Sequence, residues 1–367
     1  MKYIEVTDLA QWHGPHTGIQ KVTYSFAERF FKEGDVEFIA YDSRRKKFVT
    51  VDFEILRQSS EVKPEAVPPP KLRQKVKRNL MTGFRRLPVF MQSLLEYPLR
   101  LLNRAFRKVA ATLIDKSHIV DPFKGFRAVE FINGSPLVLL DAGWQREGMI
   151  EQVAELKDLY QLRILLHVND ILPIFHPHLF ADELPPKFTR YINQGLVVAE
   201  QITVISEASR QDVLRYSQKL KMKPPEVTTI RLGEDLSVNT PKKPEGVFPK
   251  DCLFCVGTVE IRKNYNLIYQ AAKLAQSEGR PFPHVIIAGR NGWLSSDFRH
   301  VVRHDPQTKS KIRIINGASD AELSWLYDRC MFTLFPALCE GWGLPIAESL
   351  GRGKFCITSR ASSMLAI

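Results

Sequence analysis

The sequence predicts an α/β protein built from two successive doubly wound, Rossmann-like domains. Three observations carry this. Short, nearly continuous apolar runs alternate with helical stretches along most of the 367 residues, the pattern of parallel strands covered on both faces. Residues 234–250 (EDLSVNTPKKPEGVFPK) break that rhythm with three prolines, three lysines and no apolar periodicity, and read as a linker. The length suits two domains of ordinary size, and 44% hydrophobic with 25% charged residues is a globular composition.

Residues 1–233 open with the strand KYIEVT, a helix over residues 19–32 and the strand VEFIAY. After a basic interruption come PLVLLDAG, a helix near 149–159, LRILLHV, a helix near 187–199, QITVIS, a helix near 207–216 and VTTIRLG. Strand, helix and strand in repetition call for a parallel sheet. Residues 251–367 repeat the scheme with CLFCVG, a helix over 265–277, HVIIAG, IRIING, a helix over 320–330, FTLFP, a helix from Pro345 and FCITS. Strand-end loops that face a shared cleft would carry the chemistry.

The formal charge of +12 is concentrated in one place. Residues 57–127 hold sixteen Lys and Arg against five Asp and Glu, which leaves the rest of the chain near neutral. Within them, residues 61–124 fit neither sheet and read as a basic insertion, opened by Pro64, Pro68, Pro69 and Pro70. Two amphipathic helices are expected there. One sets Leu72, Val76, Leu80 and Phe84 beside Lys71, Lys75, Lys77 and Arg78; the other sets Leu102, Phe106, Val109 and Leu113 against Arg100, Arg104, Arg107 and Lys108. A basic face opposite Leu and Phe suits residues 71–116 to an anionic membrane surface. The same pattern also fits surface helices that pack an apolar stripe on the domain. The aromatic–basic interleaving of a nucleic-acid binder is missing, so no nucleic-acid partner is expected.

No apolar run reaches eighteen residues, and MKYIEVTDLAQWHG lacks the apolar stretch of a signal peptide. Five cysteines, an odd number, sit mostly in apolar runs and suit a reducing cytosol. Cys252 and Cys255 form a lone CxxC inside a buried-strand pattern, and no metal site is expected. These readings place the protein in the cytoplasm, peripheral on the inner face of the cell membrane.

The strongest chemical signal is FPALCEGWGLPIAESLGRGK. Glu340 and Glu348 stand eight residues apart, with Gly341 and Gly343 between them. Pro345 suits the first turn of a helix, so a loop feeds a helix N-terminus there. The unpaired N–H groups and the helix dipole at such an end hold an anion such as a phosphate. Glu348, about one turn in, can accept hydrogen bonds from vicinal hydroxyls such as those of a ribose. An ordinary surface carboxylate pair gives the same spacing.

E-G-W-G-L-P-x-x-E resembles the E-x7-E signature of the family-4 (group 1) retaining glycosyltransferases, whose fold is GT-B. Other stretches resemble that family in order. They are HTGIQKVTYSFAERF, HVNDILPIFHP, VISEASRQDVL, TTIRLGEDL, FCVGTVEIRKNYNLIYQAA, VIIAGRNGW and INGASDAELSWLYDRCMFTLFPALCEGWG. The resemblance covers residues 1–55 and 130–367 and leaves the basic insertion outside. It implies that Glu340 touches the donor sugar hydroxyls and that Glu348 binds the nucleotide ribose. The N–H groups of Gly343 and Leu344 approach the phosphates or sugar. Gly257 opens the loop that carries Arg262 and Lys263, which neutralise the diphosphate in place of a divalent metal. Gly18 lies near the diphosphate or the acceptor.

Two departures stand out. Thr258 takes a place where many members have Arg, and Asn169 takes one where many have His. His167, two residues earlier in an apparent strand, is then either a catalytic residue or a core histidine, and Asp170 could orient the loop. Members of the family usually continue well past the second Glu, so an incomplete C-terminal domain is expected. The implied function is retaining transfer of a hexose, mannose first, from a GDP- or UDP-sugar to a glycan, itself lipid-linked, in surface polysaccharide assembly. No cofactor is implied beyond the nucleotide-sugar substrate. The alternative is an inactive transferase-fold binding or scaffold protein. A dinucleotide oxidoreductase is disfavoured, because no GxGxxG follows KYIEVT.

Overall fold

The computed structural model describes residues 1–12, 18–54, 56–57, 123, 125–140, 142–233, 240–246, 248–249 and 251–367. The two helices expected within 71–116, and part of the linker read over 234–250, lie outside the described residues.

The N-terminal sheet has seven strands: β1 (Lys2–Glu5), β2 (Val36–Asp42), β3 (Lys47–Val51), β4 (Pro136–Leu139), β5 (Arg163–Val168), β6 (Gln201–Val204) and β7 (Glu226–Thr229). Their order is β3-β2-β1-β4-β5-β6-β7. Its helices are α1 (Thr7–Gln11), α2 (Ile19–Glu33), α3 (Met149–Tyr160), α4 (Leu172–Phe175), α5 (Leu184–Val198) and α6 (Glu207–Lys219). Packing is two-sided, as the continuous apolar runs require. Leu137 and Leu139 of β4 join one core layer with Ile164, Leu166, Ile202 and Val204, while Val138 and Leu140 join the opposite layer with Ile4.

The all-parallel expectation is corrected at one edge. Strand β3, absent from the sequence reading, pairs antiparallel with β2, Phe38 facing Val51 and Asp42 facing Lys47. Only residues 43–46 separate the two strands, far too few for the crossover that a parallel pair needs. Asp42 shapes the turn by accepting the N–H groups of Arg44 and Arg45 at 2.9 and 3.3 Å. Helix α5 begins at Leu184, before the expected residue 187. Pro185 and Pro186 sit in its first turn, where no N–H is needed.

The C-terminal sheet is wholly parallel, with order β10-β9-β8-β11-β12. Its strands are β8 (Cys252–Val256), β9 (His284–Ala288), β10 (Ile312–Ile315), β11 (Thr333–Phe335) and β12 (Cys356–Thr358). Its helices are α7 (Asn266–Ser277), α8 (Ser296–His304), α9 (Asp320–Arg329) and α10 (Leu344–Gly351). The strand-end loops of the two sheets meet. Leu172, Leu179 and Phe180 from the first half pack with Cys339 and Trp293 from the second. The Trp293 Nε1–H donates to the Leu179 carbonyl at 2.8 Å, and Lys21 Nζ lies 3.2 Å from Asp320 Oδ1.

Candidate active site

The site is built on two loops of the C-terminal sheet. After β8 the chain turns at Gly257 into a single 3-10 turn, Ile261–Lys263, which Asn264 ends in the left-handed region. Two bonds fasten this loop to the neighbouring one: Val259 N–H donates to Arg290 O at 2.8 Å and Gly292 N–H to Val259 O at 2.9 Å. The approach is so close that a Cβ on Gly289 would fall 1.8 Å from the Gly257 carbonyl oxygen, so only glycine fits. The loop after β11 is drawn onto it by Leu338 N–H donating to Arg262 O at 2.8 Å and by Arg262 Nη1–H donating to Cys339 O at 3.1 Å.

Glu340 comes to the focus of two cations. Its Oε1 lies 2.7 Å from Arg262 Nη1 and 2.5 Å from Lys263 Nζ. Arg262 Nη2 meets a second carboxylate, Glu260 Oε1, at 2.7 Å. Glu340 and Lys263 are each 8% exposed and Glu260 4%. Burial favours the neutral form of both acids. For Glu340 the attraction of Arg262 and Lys263 more than offsets burial and holds its pKa below the ordinary carboxylate value. For Glu260 burial wins, because only Arg262 bonds it directly, and its pKa is raised. Burial would lower the Arg262 pKa, but Glu340 and Glu260 push it upward instead, so the guanidinium stays charged.

The second half of the motif leaves this cluster as a loop and a helix. Ser362 Oγ and Ser363 Oγ lie 2.6 and 2.8 Å from the Glu340 carbonyl oxygen, and Ser363 Oγ is also 2.7 Å from Trp342 O. Gly343, at φ +120°, turns the chain into α10, with Pro345 in the first turn. The N–H groups of Gly343 and Leu344 find no acceptor among the described residues and face the anion-favouring end of the helix. Glu348 Oε2 accepts the hydroxyl of the buried Tyr327 at 2.8 Å. Burial raises the Glu348 pKa against the opposing effect of that bond. Its Oε1 has no hydrogen-bond partner among the described residues.

The N-terminal half closes over the cluster with Asp170 and Phe180. Asp170 Oδ1 accepts the Leu172 N–H at 3.1 Å. Its Oδ2 lies so close to Gly341 that a Cβ there would be 2.5 Å away. Burial raises the Asp170 pKa against the pull of Arg262. The Phe180 ring centroid is 5.9 Å from Arg262 Cζ. Gly18, at φ +51°, starts α2, and no described residue beyond its chain neighbours lies within 4 Å of the place its Cβ would take.

Arg262, Lys263 and Glu340 are thus brought together, with Gly257 packed under the Lys263 stem and Gly343, Leu344 and Glu348 on the adjoining helix start. His167 is not brought to them. It stands within β5, 4% exposed, with Nδ1 3.0 Å from Thr203 Oγ1 and its ring edge-on to Phe26 at 5.0 Å. Burial lowers its pKa to about 4, against a smaller opposing effect of Asn169. Of the two readings of this residue, the geometry matches the core histidine. Glu260, Tyr327 and the Ser362–Ser363 clamp escaped sequence reasoning. Glu260 alone left a signal, as the acid two places before Arg262 in VEIRKN.

A cavity of about 670 Å³ opens beyond Cys339, against α6, with Gln211, Asp212, Arg215, Leu338 and Ser362 in its wall. None of Glu340, Arg262, Lys263 or Glu348 lines it, so the chemistry-bearing groups lie elsewhere. Among the described residues no three His, Cys, Asp or Glu converge as a metal-ligand set. No helix of the described residues is long and apolar enough to cross a membrane.

Residues 240–367 match the family of glycosyl transferases group 1. A 196-residue stretch is 26% identical to the serotype-specific mannosyltransferase WbdA of Escherichia coli, covering 50% of this chain and 24% of that protein. Another of 182 residues is 25% identical to the O-antigen chain mannosyltransferase B of Escherichia coli, covering 47% and 46%. The matched stretch therefore spans less than half of either relative. Sucrose-phosphate synthase from Thermosynechococcus elongatus aligns with a TM-score of 0.55 and 13% identity over 99% of this chain and 82% of its own, a likeness of fold. Residues 240–367, which hold the cation–carboxylate cluster and the E-x7-E loop, match the group 1 glycosyl transferases, and the chain as a whole has the GT-B fold.

Proposed function

We propose that the protein transfers mannose from GDP-mannose to a glycan with retention of anomeric configuration, without a divalent metal. One observation carries this reading. Two buried cations, Arg262 and Lys263, converge on Glu340, three residues before a helix cap whose N–H groups find no acceptor among the described residues, and this supports the site as a receptor for a diphosphate. In this reading Glu348, one turn into that helix, accepts the ribose hydroxyls. As the bond between the sugar C1 and the phosphate oxygen breaks, negative charge grows on the departing phosphate, and Arg262 and Lys263 stabilise it. The acceptor hydroxyl oxygen bonds C1 from the same face, and its proton passes to that phosphate oxygen. Mannose as the sugar is supported by the two mannosyltransferase relatives.

The acceptor in this reading is a lipid-linked glycan at the inner surface of the cell membrane, approached through the basic residues 71–116. The charge excess of residues 57–127 supports it. Calorimetric titration with GDP, UDP and their mannosyl and glucosyl esters tests the donor. Micromolar binding of GDP-mannose, with turnover that persists in EDTA, is expected. Binding of none of these would leave the scaffold alternative standing, and turnover lost to EDTA and restored by Mg²⁺ would overturn the metal-free step. Co-sedimentation with anionic vesicles, strong at low salt and abolished by deleting residues 71–116, is the matching result for the membrane. Equal sedimentation of the deletion variant would refute it.

A further inference from the structure

The site contains a buried carboxylate that the proposed transfer does not use. Arg262 is held by three acceptors: Glu260 through Nη2, and Glu340 and the Cys339 carbonyl through Nη1. The Glu340 oxygen on Nη1 is the same atom that meets Lys263. A single carboxylate oxygen therefore stands at the focus of both cations, where an oxygen of an incoming diphosphate would stand. The diphosphate must take its place on at least one of them.

Glu260 is held differently. It lies on the same loop as Arg262, two residues earlier, and its stem is wedged against the Gly292 turn, where an added Cβ would come within 3.0 Å of Glu260 Cβ. The loop itself is fastened by the two bonds between Val259 and the 290–292 stretch. Glu340, in contrast, belongs to the loop that receives the sugar. When the anion on Nη1 changes, the bond on Nη2 need not. The guanidinium suits this arrangement because its fork offers two separately directed donors, one for an anchor and one for the ligand.

We propose that Glu260 is the positioning residue of Arg262, keeping the guanidinium aimed at the donor diphosphate while phosphate replaces Glu340 on its other edge. This rests on the nucleotide-sugar reading above. The opposite outcome is physically reasonable, which makes the idea testable. A carboxylate beside Arg262 also cancels positive charge, so a Glu260 that merely neutralises would weaken phosphate binding, and its removal would strengthen it.

The test is calorimetric titration of the full chain with GDP and with GMP, which lacks the second phosphate. Wild type, E260A, E260Q, R262A and the double variant E260A/R262A are compared, with thermal melts to establish folding. Loss of one charge-assisted anchor should weaken GDP binding about tenfold in E260A and leave GMP binding unchanged. E260Q, which keeps an acceptor oxygen of the same shape, should fall between E260A and wild type. In the R262A background E260A should have no further effect, because Glu260 acts through Arg262. Unchanged or tighter GDP binding in both E260A and E260Q overturns the proposal, as do equal losses for GMP and GDP or additive losses in the double variant. Wild-type protein that is folded and binds neither GDP nor UDP overturns the transferase reading itself, and the role of Glu260 with it. If E260A does not fold, the isosteric E260Q alone decides, by a lower GDP-to-GMP affinity ratio or an unchanged one.

Discussion

His167→Gln should make the protein less sensitive to acid. His167 is neutral in the folded chain because burial lowers its pKa from 6.5 to about 4. In the unfolded chain it titrates near the ordinary value. Between these two values the unfolded state binds a proton that the folded state refuses, so stability falls as pH drops from about 6.5 towards 4 and is fully present above that window. Near 1.4 kcal/mol per pKa unit, the whole gap is worth about 3 kcal/mol, and roughly 2 kcal/mol is already lost at pH 5. Gln keeps a polar partner for Thr203 and cannot titrate. It also gives up the ring contact with Phe26, so the variant should be slightly less stable than wild type at pH 7.5. The assay is urea unfolding of both proteins at steps from pH 7.5 to 4.5. Carboxylates titrate in both, so the decisive quantity is the difference between them, which should move by about 2 kcal/mol in favour of the variant by pH 5. GDP affinity at pH 7.5 should be unchanged. Parallel stability curves would refute the buried neutral imidazole, and a large loss of GDP affinity would put His167 in the site after all.

Glu348→Gln should weaken GDP binding by roughly tenfold to a hundredfold, since a charged acceptor for the ribose is lost while Tyr327 keeps a partner; unchanged affinity would remove Glu348 from the nucleotide site. Gly341→Ala should destabilise the chain by about 1–3 kcal/mol, because the new methyl group would lie 2.5 Å from Asp170 Oδ2. Asp170→Gly should relieve much of that cost, because it removes both the carboxylate and the Asp170 Cβ that would lie 2.9 Å from the new methyl group, and additive thermal shifts in the double variant would show that the two residues do not touch. Arg262→Lys should lower GDP affinity nearly as far as Arg262→Ala, since one ammonium cannot serve Glu260 and a phosphate from two edges; wild-type affinity in the lysine variant would refute the two-edged role.

Much of what local physics controls could be read along the chain. Parallel strands buried on both faces must be continuously apolar, so PLVL and CLFCV were legible as strands and their alternation with helices as two doubly wound sheets. The helix at Leu344 was legible because Pro345 tolerates only the first turn. Strand β3 was not read, although Phe48, Val49 and Val51 are apolar and buried: its run of five residues is short, and its antiparallel partner is chosen by the sheet. The site divides the same way. Glu340, Glu348, Arg262 and Lys263 announced themselves by spacing and by family resemblance, but Lys263 and Glu340 are 77 residues apart, and no spacing says which charges meet. Only the packed loops decided that one Glu340 oxygen serves both cations, that Glu260 takes the other edge of Arg262, and that His167 lies in the core. The reason is physical: a carboxylate or an imidazole acquires its charge state and role from burial and neighbours, and both are properties of the folded chain.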